Sequence, residues 1–206
     1  MESGVGNLIV FTGPSGVGKG TIVRELFKEV DKLGFSVSVT TREKRAGEED
    51  GKNYFFRTHE EFDELIEKDR LLEWAEFVGN KYGTPKDFVF EKLKSGNDVL
   101  LEIEVQGAIQ VKEKFPDAVM IFLVPPSLNE LEARLRKRNT ETDEKIKLRL
   151  AKAKEEMQHT EFFEYIVIND DAMRAAKDVK NVILSLRGKK KIKLDLLEEM
   201  LTESEA

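Results

Sequence analysis

Gly13-Pro14-Ser15-Gly16-Val17-Gly18-Lys19-Gly20-Thr21 follows the apolar run Leu8-Ile9-Val10-Phe11 and precedes the helical pattern Ile22-Val23-Arg24-Glu25-Leu26-Phe27. A short strand, a glycine-rich turn and a helix form the context of a phosphate-binding P-loop. The glycines let the backbone turn tightly enough for successive N–H groups to converge on a phosphate. The helix N-terminus adds a partial positive charge, and Lys19 adds a full one that reaches toward β- and γ-phosphates. An ordinary glycine turn accounts for this less well, because strand, paired glycines, lysine, hydroxyl and helix coincide. One position departs from the pattern G-x-x-x-x-G-K-[ST]. Gly20 follows Lys19, and the hydroxyl comes one residue later at Thr21. The phosphate cradle is untouched by this, but the direct hydroxyl ligand to magnesium is put in question.

Outward from that loop, strand and helix patterns alternate. Leu8–Phe11 reads as a strand, 19–33 as a helix closed by Gly34, and Phe35–Thr40 as a strand. Tyr54-Phe55-Phe56 follows a polar loop, and Thr58-x-x-Glu61 is a capping box that opens a helix through Asp69. Leu71–Val78 reads as a strand turning at Gly79-Asn80. Thr84-Pro85 reads as a helix start, with Thr84 as cap. Asp98–Val105 has the apolar run of a strand buried on both faces. Helix 108–115, strand 118–124, helices from Ser127 to about Arg138 and onward to about Met157, strand 165–168 and helix 172–187 closed by Gly188 complete the series. Strands alternating with helices indicate an α/β fold with a parallel sheet. Residues 36–92 break the rhythm and read as an insert.

Composition narrows the function classes. The 206 residues suffice for one substantial core, and no apolar run approaches the length of a membrane span. The start Met1-Glu2-Ser3-Gly4 lacks the basic and apolar regions of a secretory signal, so a cytoplasmic location is expected, without a membrane partner. Without cysteine there is neither disulfide nor thiolate–metal chemistry, and the two histidines, His59 and His159, form no sequence cluster. A net charge of −6 argues against a nucleic-acid partner. Abundant Lys and Glu without Cys lean toward a heat-adapted source.

The insert carries its own chemistry. Arg42 and Arg45 stand in a hydroxyl-rich loop ahead of Tyr54. Two guanidinium forks and a phenol suit a second phosphate, although by spacing alone a solvated basic loop is the simpler reading. Glu73-Trp74-Ala75 and Tyr82-Gly83-Thr84 set a carboxylate near aromatics and hydroxyls. Guanine offers N1–H and N2–H₂ to a carboxylate, while its O6 accepts from a hydroxyl. Ordinary surface or strand-end charge would equally explain Glu73 and Glu102.

Together these blocks resemble guanylate kinase. The resemblance rests on Gly13-Pro14-Ser15-Gly16-x-Gly18-Lys19, on Ser36-Val37-Ser38-x-Thr40-Thr41-Arg42-x-x-Arg45 through Tyr54-x-Phe56, and on Glu73-Trp74-Ala75 and Tyr82-Gly83-Thr84. It continues through Glu102-Ile103-Glu104-x-Gln106-Gly107, Pro125-Pro126-Ser127, Arg138-x-Thr140-Glu141-Thr142 and Val167-Ile168-Asn169-Asp170. The P-loop alone would admit many kinases; the 36–54 block would not.

The resemblance implies a three-layer P-loop fold over 1–188, with a core (1–35, 93–126, 159–188), a GMP-binding insert (36–92) and a helical lid (127–158). It implies the reaction ATP + GMP ⇌ ADP + GDP with Mg²⁺. By position, Gly13, Pro14, Ser15, Gly16, Val17, Gly18, Lys19, Gly20 and Thr21 would bind ATP. Arg134 is a further ATP contact, and Asn169 matches a residue near the adenine. Arg42, Arg45, Tyr54 and Tyr82 match contacts to the GMP phosphate. Ser38, Glu73, Thr84 and Glu102 match contacts to guanine or their neighbours. Lys19, Arg42, Arg138 and Arg149 would carry catalysis. Glu104 stands where the family usually has Asp, and would hold the metal through water. The 189–206 tail lies beyond the family's minimum. Leu194, Leu197 and Leu201 predict one apolar helical face there. Two other readings share the motifs. A catalytically silent guanylate-kinase-like binding module is opposed by Lys19, Arg138 and Arg149. A kinase for another nucleoside monophosphate is suggested by Gly18-Lys19-Gly20-Thr21, an adenylate-kinase-like ending, and opposed by the 36–54 block and Glu73.

Overall fold

The computed structural model describes residues 5–77, 79–137 and 142–203. A five-stranded parallel sheet forms the centre. Its strands are β1 (Leu8–Thr12), β2 (Leu33–Phe35), β7 (Asp98–Glu102), β8 (Val119–Val124) and β9 (Tyr165–Ile168). The order is β2-β7-β1-β8-β9. β1 shows why its sequence is apolar throughout. Ile9 and Phe11 face α1 (Lys19–Glu29) and α7 (Ala172–Glu203), against Ile22, Leu26, Val179 and Ile183. Leu8 and Val10 face the other layer, where α3 (Lys86–Lys94) brings Val89 and Leu93, and α4 (Val105–Lys114) brings Ala108 and Val111. Both faces are covered, so alternate residues are all buried. Neighbours β7 and β8 leave β1 on opposite sides, which opens a crevice at the carboxyl ends of these strands.

A second sheet interrupts the alternation. It is formed by β3 (Val39–Thr40), β4 (Phe55–Phe56), β5 (Leu71–Phe77) and β6 (Asn80–Pro85), in the order β4-β3-β6-β5. Helix α2 (His59–Glu67) covers it, packing Phe62 on Val39 and Leu71. Its Thr58 capping box is formed as the sequence predicts. Two further helices, α5 (Leu128–Lys137) and α6 (Asp143–Glu156), pack on each other through Leu131, Leu135 and Ile146.

Several boundaries differ from the sequence reading; Val105, read as the end of a strand, opens α4, and β7 stops at Glu102. Helix α1 ends at Glu29, because Leu33–Phe35 is drawn into parallel pairing with β7; Gly34 sits in that strand and caps nothing. The expected strand 35–40 is divided, its first residue in the central sheet and its last two in the second. Asn80–Pro85 is a strand, held by antiparallel pairing to β5, and the Thr84 hydroxyl goes to Glu73 instead of capping a helix. Helix α7 does not stop at Gly188 but runs to Glu203, and Gly188 lacks the positive φ of a helix-terminating glycine. The expected face of Leu194, Leu197 and Leu201 lies outside the residues whose side chains are described.

Candidate active site

The loop between β1 and α1 is built from positive-φ glycines at 13, 16 and 18. Gly18 has a second constraint, because a Cβ there would lie 2.5 Å from Asn169 Nδ2. That amide donates to the Val17 carbonyl at 2.7 Å, and Arg134 Nη1 donates to the same oxygen at 3.3 Å. Arg149 Nη1 donates to Ser15 Oγ at 2.9 Å, so α5, α6 and the residue after β9 all converge on the loop. Lys19 Nζ donates across the loop to Gly13 O at 2.5 Å, which holds the ammonium at its mouth. Pro14 O closes the turn by accepting from Val17 N at 3.1 Å. Gly20 faces open space. The Thr21 hydroxyl accepts from Arg24 Nη2 at 3.3 Å, along the helix. Arg138 lies outside the described residues.

Beside Lys19 opens a cleft of about 280 Å³ between the central and second sheets. The core contributes Lys19, Glu102 and Glu104 to its lining, and the second sheet contributes Glu73 and Tyr82. Tyr54 and Ser38 join the wall from the connecting segments. Asn53, which sequence reasoning passed over as a loop residue, lines it too; its side chain accepts from Glu49 N at 2.9 Å.

Glu73 is the least ordinary group in the cleft. The residue is 3% exposed, and its carboxylate accepts from Thr84 Oγ1 at 2.6 Å. Burial pushes its pKa from 4.5 up to about 7, against the smaller pull of the Thr84 hydroxyl and the Lys114 charge. A buried carboxylate strongly favours any ligand that brings N–H donors to it. Burial also raises the Glu102 carboxyl, with Lys19 pulling it down and Glu104 pushing it up.

Arg42 is held behind the tyrosines. Its Nη2 donates to both Glu48 oxygens at 2.8 and 3.1 Å, and the guanidinium stacks 5.3 Å from the Tyr54 ring centroid. The Glu48 carboxylate raises its pKa further. Arg45 is exposed, and its backbone N–H rather than its guanidinium meets Glu48. The structure therefore gathers Ser38, Tyr54, Glu73, Tyr82 and Glu102 around one cleft, while Arg45 is exposed and does not line it.

The donors suited to a metal are carboxylate oxygens. Glu102 and Glu104 share the cleft with Lys19, and Glu104 Oε2 accepts from Lys152 Nζ at 3.3 Å. Among the described residues no three His, Cys, Asp or Glu side chains gather into a closed metal cage. Such a sparse, hard donor set fits a cation that keeps most of its ligands from phosphate and water.

Comparison with known proteins agrees with this arrangement. A sequence model of the guanylate kinase family matches residues 5–186. A guanylate kinase from Desulfitobacterium hafniense is 50% identical over 185 residues, 90% of this chain and 92% of the relative. One from Caldanaerobacter subterraneus subsp. tengcongensis is 49% identical over 199 residues, 97% of each chain. The crystal structure of guanylate kinase from Anaplasma phagocytophilum superposes with a TM-score of 0.74 at 33% identity, covering 90% of this chain and 88% of that one. With a P-loop, a second-sheet insert facing it across one cleft, and matches spanning nearly the whole chain, this chain belongs to the guanylate kinase family.

Proposed function

We propose that this protein transfers the γ-phosphoryl group of ATP to GMP. The oxygen of the GMP phosphate forms the new P–O bond, the β–γ bridging bond breaks, and ADP leaves with its electron pair. The accepting oxygen is already ionised, so no general base is needed; the work is positioning and charge. The glycine loop and Lys19 take the triphosphate, with Arg134 and Arg149 approaching from α5 and α6 and Arg138 completing that set. Arg42, Arg45, Tyr54 and Tyr82 take the acceptor phosphate. On this reading 36–92 is the GMP-binding insert and 127–158 the lid. Ser38, Glu73, Thr84 and Glu102 take the base. Asn169 is a poorer candidate for adenine recognition than for bracing the loop, since its amide is engaged by Val17 O.

Mg²⁺ carried in with ATP would sit by Glu104, held through water, and supplies charge neutralisation on the phosphates. The reading places the protein in the cytoplasm, with ATP and GMP as its ligands and no part for nucleic acid or membrane. No helix among the described residues is long and apolar enough to cross a membrane.

The observation that carries the proposal is the buried Glu73 carboxylate in the same cleft as Lys19. AMP presents an acceptor where guanine presents N1–H, so it would leave that carboxylate without a donor, at about 1–3 kcal/mol. A panel of GMP, AMP, CMP and UMP with ATP and Mg²⁺, followed by ADP formation, tests it. GMP should be preferred by at least about tenfold; comparable turnover of AMP would refute the reading.

A further inference from the structure

We infer that Gly107 is a positioning residue for base recognition: the absence of a side chain there is what lets the Glu73 carboxylate occupy its place in the cleft. The inference rests on the reading of Glu73 as the group that meets guanine. Gly107 is buried in the first turn of α4. A Cβ at that position would lie 2.2 Å from Glu73 Oε2, 3.0 Å from Cδ and 3.5 Å from Cγ. All three nearest atoms belong to one carboxylate arm, and none to backbone.

What would yield to such a Cβ is decided by the rest of the same helix face. Gly107, Gln110 and Lys114 follow at spacings of three and four, so they share one side of α4. Gln110 takes hold of the Trp74 backbone on both sides, its Oε1 accepting from Trp74 N at 3.3 Å and its Nε2 donating to Trp74 O at 2.8 Å. Lys114 Nζ donates to Leu72 O at 2.9 Å. The backbone is therefore fastened to α4 immediately before and immediately after Glu73. The strand cannot draw back, and the opposite side of Glu73 is closed by Thr84. The movable part is the carboxylate itself, and moving it breaks its alignment with Thr84 and with a base in the cleft.

A helix-interior glycine is otherwise an unfavourable choice. It loses more conformational freedom on folding than alanine would, and Gly107 has no positive φ that requires it. Replacing it should therefore act on the Glu73 carboxylate and not on the helix itself.

The test is Gly107→Ala, alone and in a Glu73→Ala background where no carboxylate remains to be displaced. In the single variant KM for GMP should rise about tenfold or more. KM for ATP and kcat at saturating GMP should move little. In the Glu73→Ala background the same substitution should leave KM for GMP unchanged, because the two act through one group. If Gly107→Ala leaves KM for GMP at the parent value while Glu73→Ala raises it, the inference is wrong and the reading of Glu73 survives. Equal losses from Gly107→Ala in both backgrounds would also overturn it, by showing an effect that bypasses Glu73. If Glu73→Ala itself leaves GMP and AMP discrimination intact, the reading of Glu73 falls and the inference falls with it. Should the single variant fold poorly while the double variant folds well, the collision is still localised to the Glu73 side chain.

Discussion

The Glu73→Gln substitution isolates the cost of ionising a buried carboxylate. Glutamine keeps the size and the oxygen that accepts from Thr84, and removes the titration. In the folded protein burial moves the Glu73 pKa from 4.5 to about 7. At about 1.4 kcal/mol per pH unit of displacement, this corresponds to roughly 3 kcal/mol. Because the folded state holds the proton more tightly, the contribution is fully present below pH 4.5 and is lost as pH rises through about 7. The parent should therefore lose stability relative to Glu73→Gln on going from pH 5 to pH 8, by about 2–3 kcal/mol, or roughly 5–10 °C in Tm for a chain of this size. Urea unfolding of both proteins at several pH values, followed by circular dichroism, reads the difference. GMP binding gives an independent measure. Guanine's donors favour the ionised carboxylate, so near pH 6 binding to the parent should release more protons than binding to Glu73→Gln, and at pH 8.5 neither should release any, which calorimetry in two buffers of different ionisation enthalpy reports. Stability curves that stay parallel across the range would refute the account of Glu73 as a desolvated carboxylate. Buffer-dependent heat at pH 6 no larger for the parent than for Glu73→Gln would refute its engagement by the base.

Three further outcomes are expected. Lys19→Met should lower the transfer rate by on the order of 10³-fold or more while GMP affinity stays within about twofold; lost GMP affinity by calorimetry would count against separate donor and acceptor sites. Thr84→Val removes the hydroxyl that donates to Glu73 Oε1 at 2.6 Å, and should raise KM for GMP with a stability loss of about 1–2 kcal/mol, both restored by Thr84→Ser; an unchanged KM would show that the hydroxyl does not orient Glu73. Arg187→Ala strips Asp98, 3% exposed, of the guanidinium that donates to it at 2.7 Å. With Arg187 partly solvated, the cost should be about 2 kcal/mol in urea unfolding without change in GMP kinetics; a change below about 0.5 kcal/mol would mean that Asn7, whose backbone N and Nδ2 both donate to Asp98 Oδ1 at 2.7 Å, alone satisfies it.

What the sequence determined by itself is local. The apolar run 8–11, the glycines and Lys19 announce a phosphate loop, because turn geometry and helix initiation depend on residues a few positions apart. The Thr58–Glu61 capping box is legible for the same reason, and so are most of the strands buried on both faces. Where a strand depends on its partner, the sequence misleads. Asn80–Pro85 has no apolar period and becomes a strand by pairing with β5 on one side and β3 on the other. Leu33 and Gly34 read as the end and stop of a helix and Phe35 as the start of the next strand, yet all three are captured by β7. The site divides in the same way. Residue types suited to phosphate and guanine were visible at Lys19, Arg42, Glu73 and Glu102. That Lys19, Glu73 and Glu102 face one cleft, and that Gln110 and Lys114 fasten the strand around Glu73, are matters of distance between segments far apart in the chain. Gly107 was already in the motif that carried the resemblance, but a glycine shows its purpose only when the atom that would strike its missing side chain is known. Tertiary structure alone supplies that atom, because close approach is a property of two segments and neither encodes it by itself.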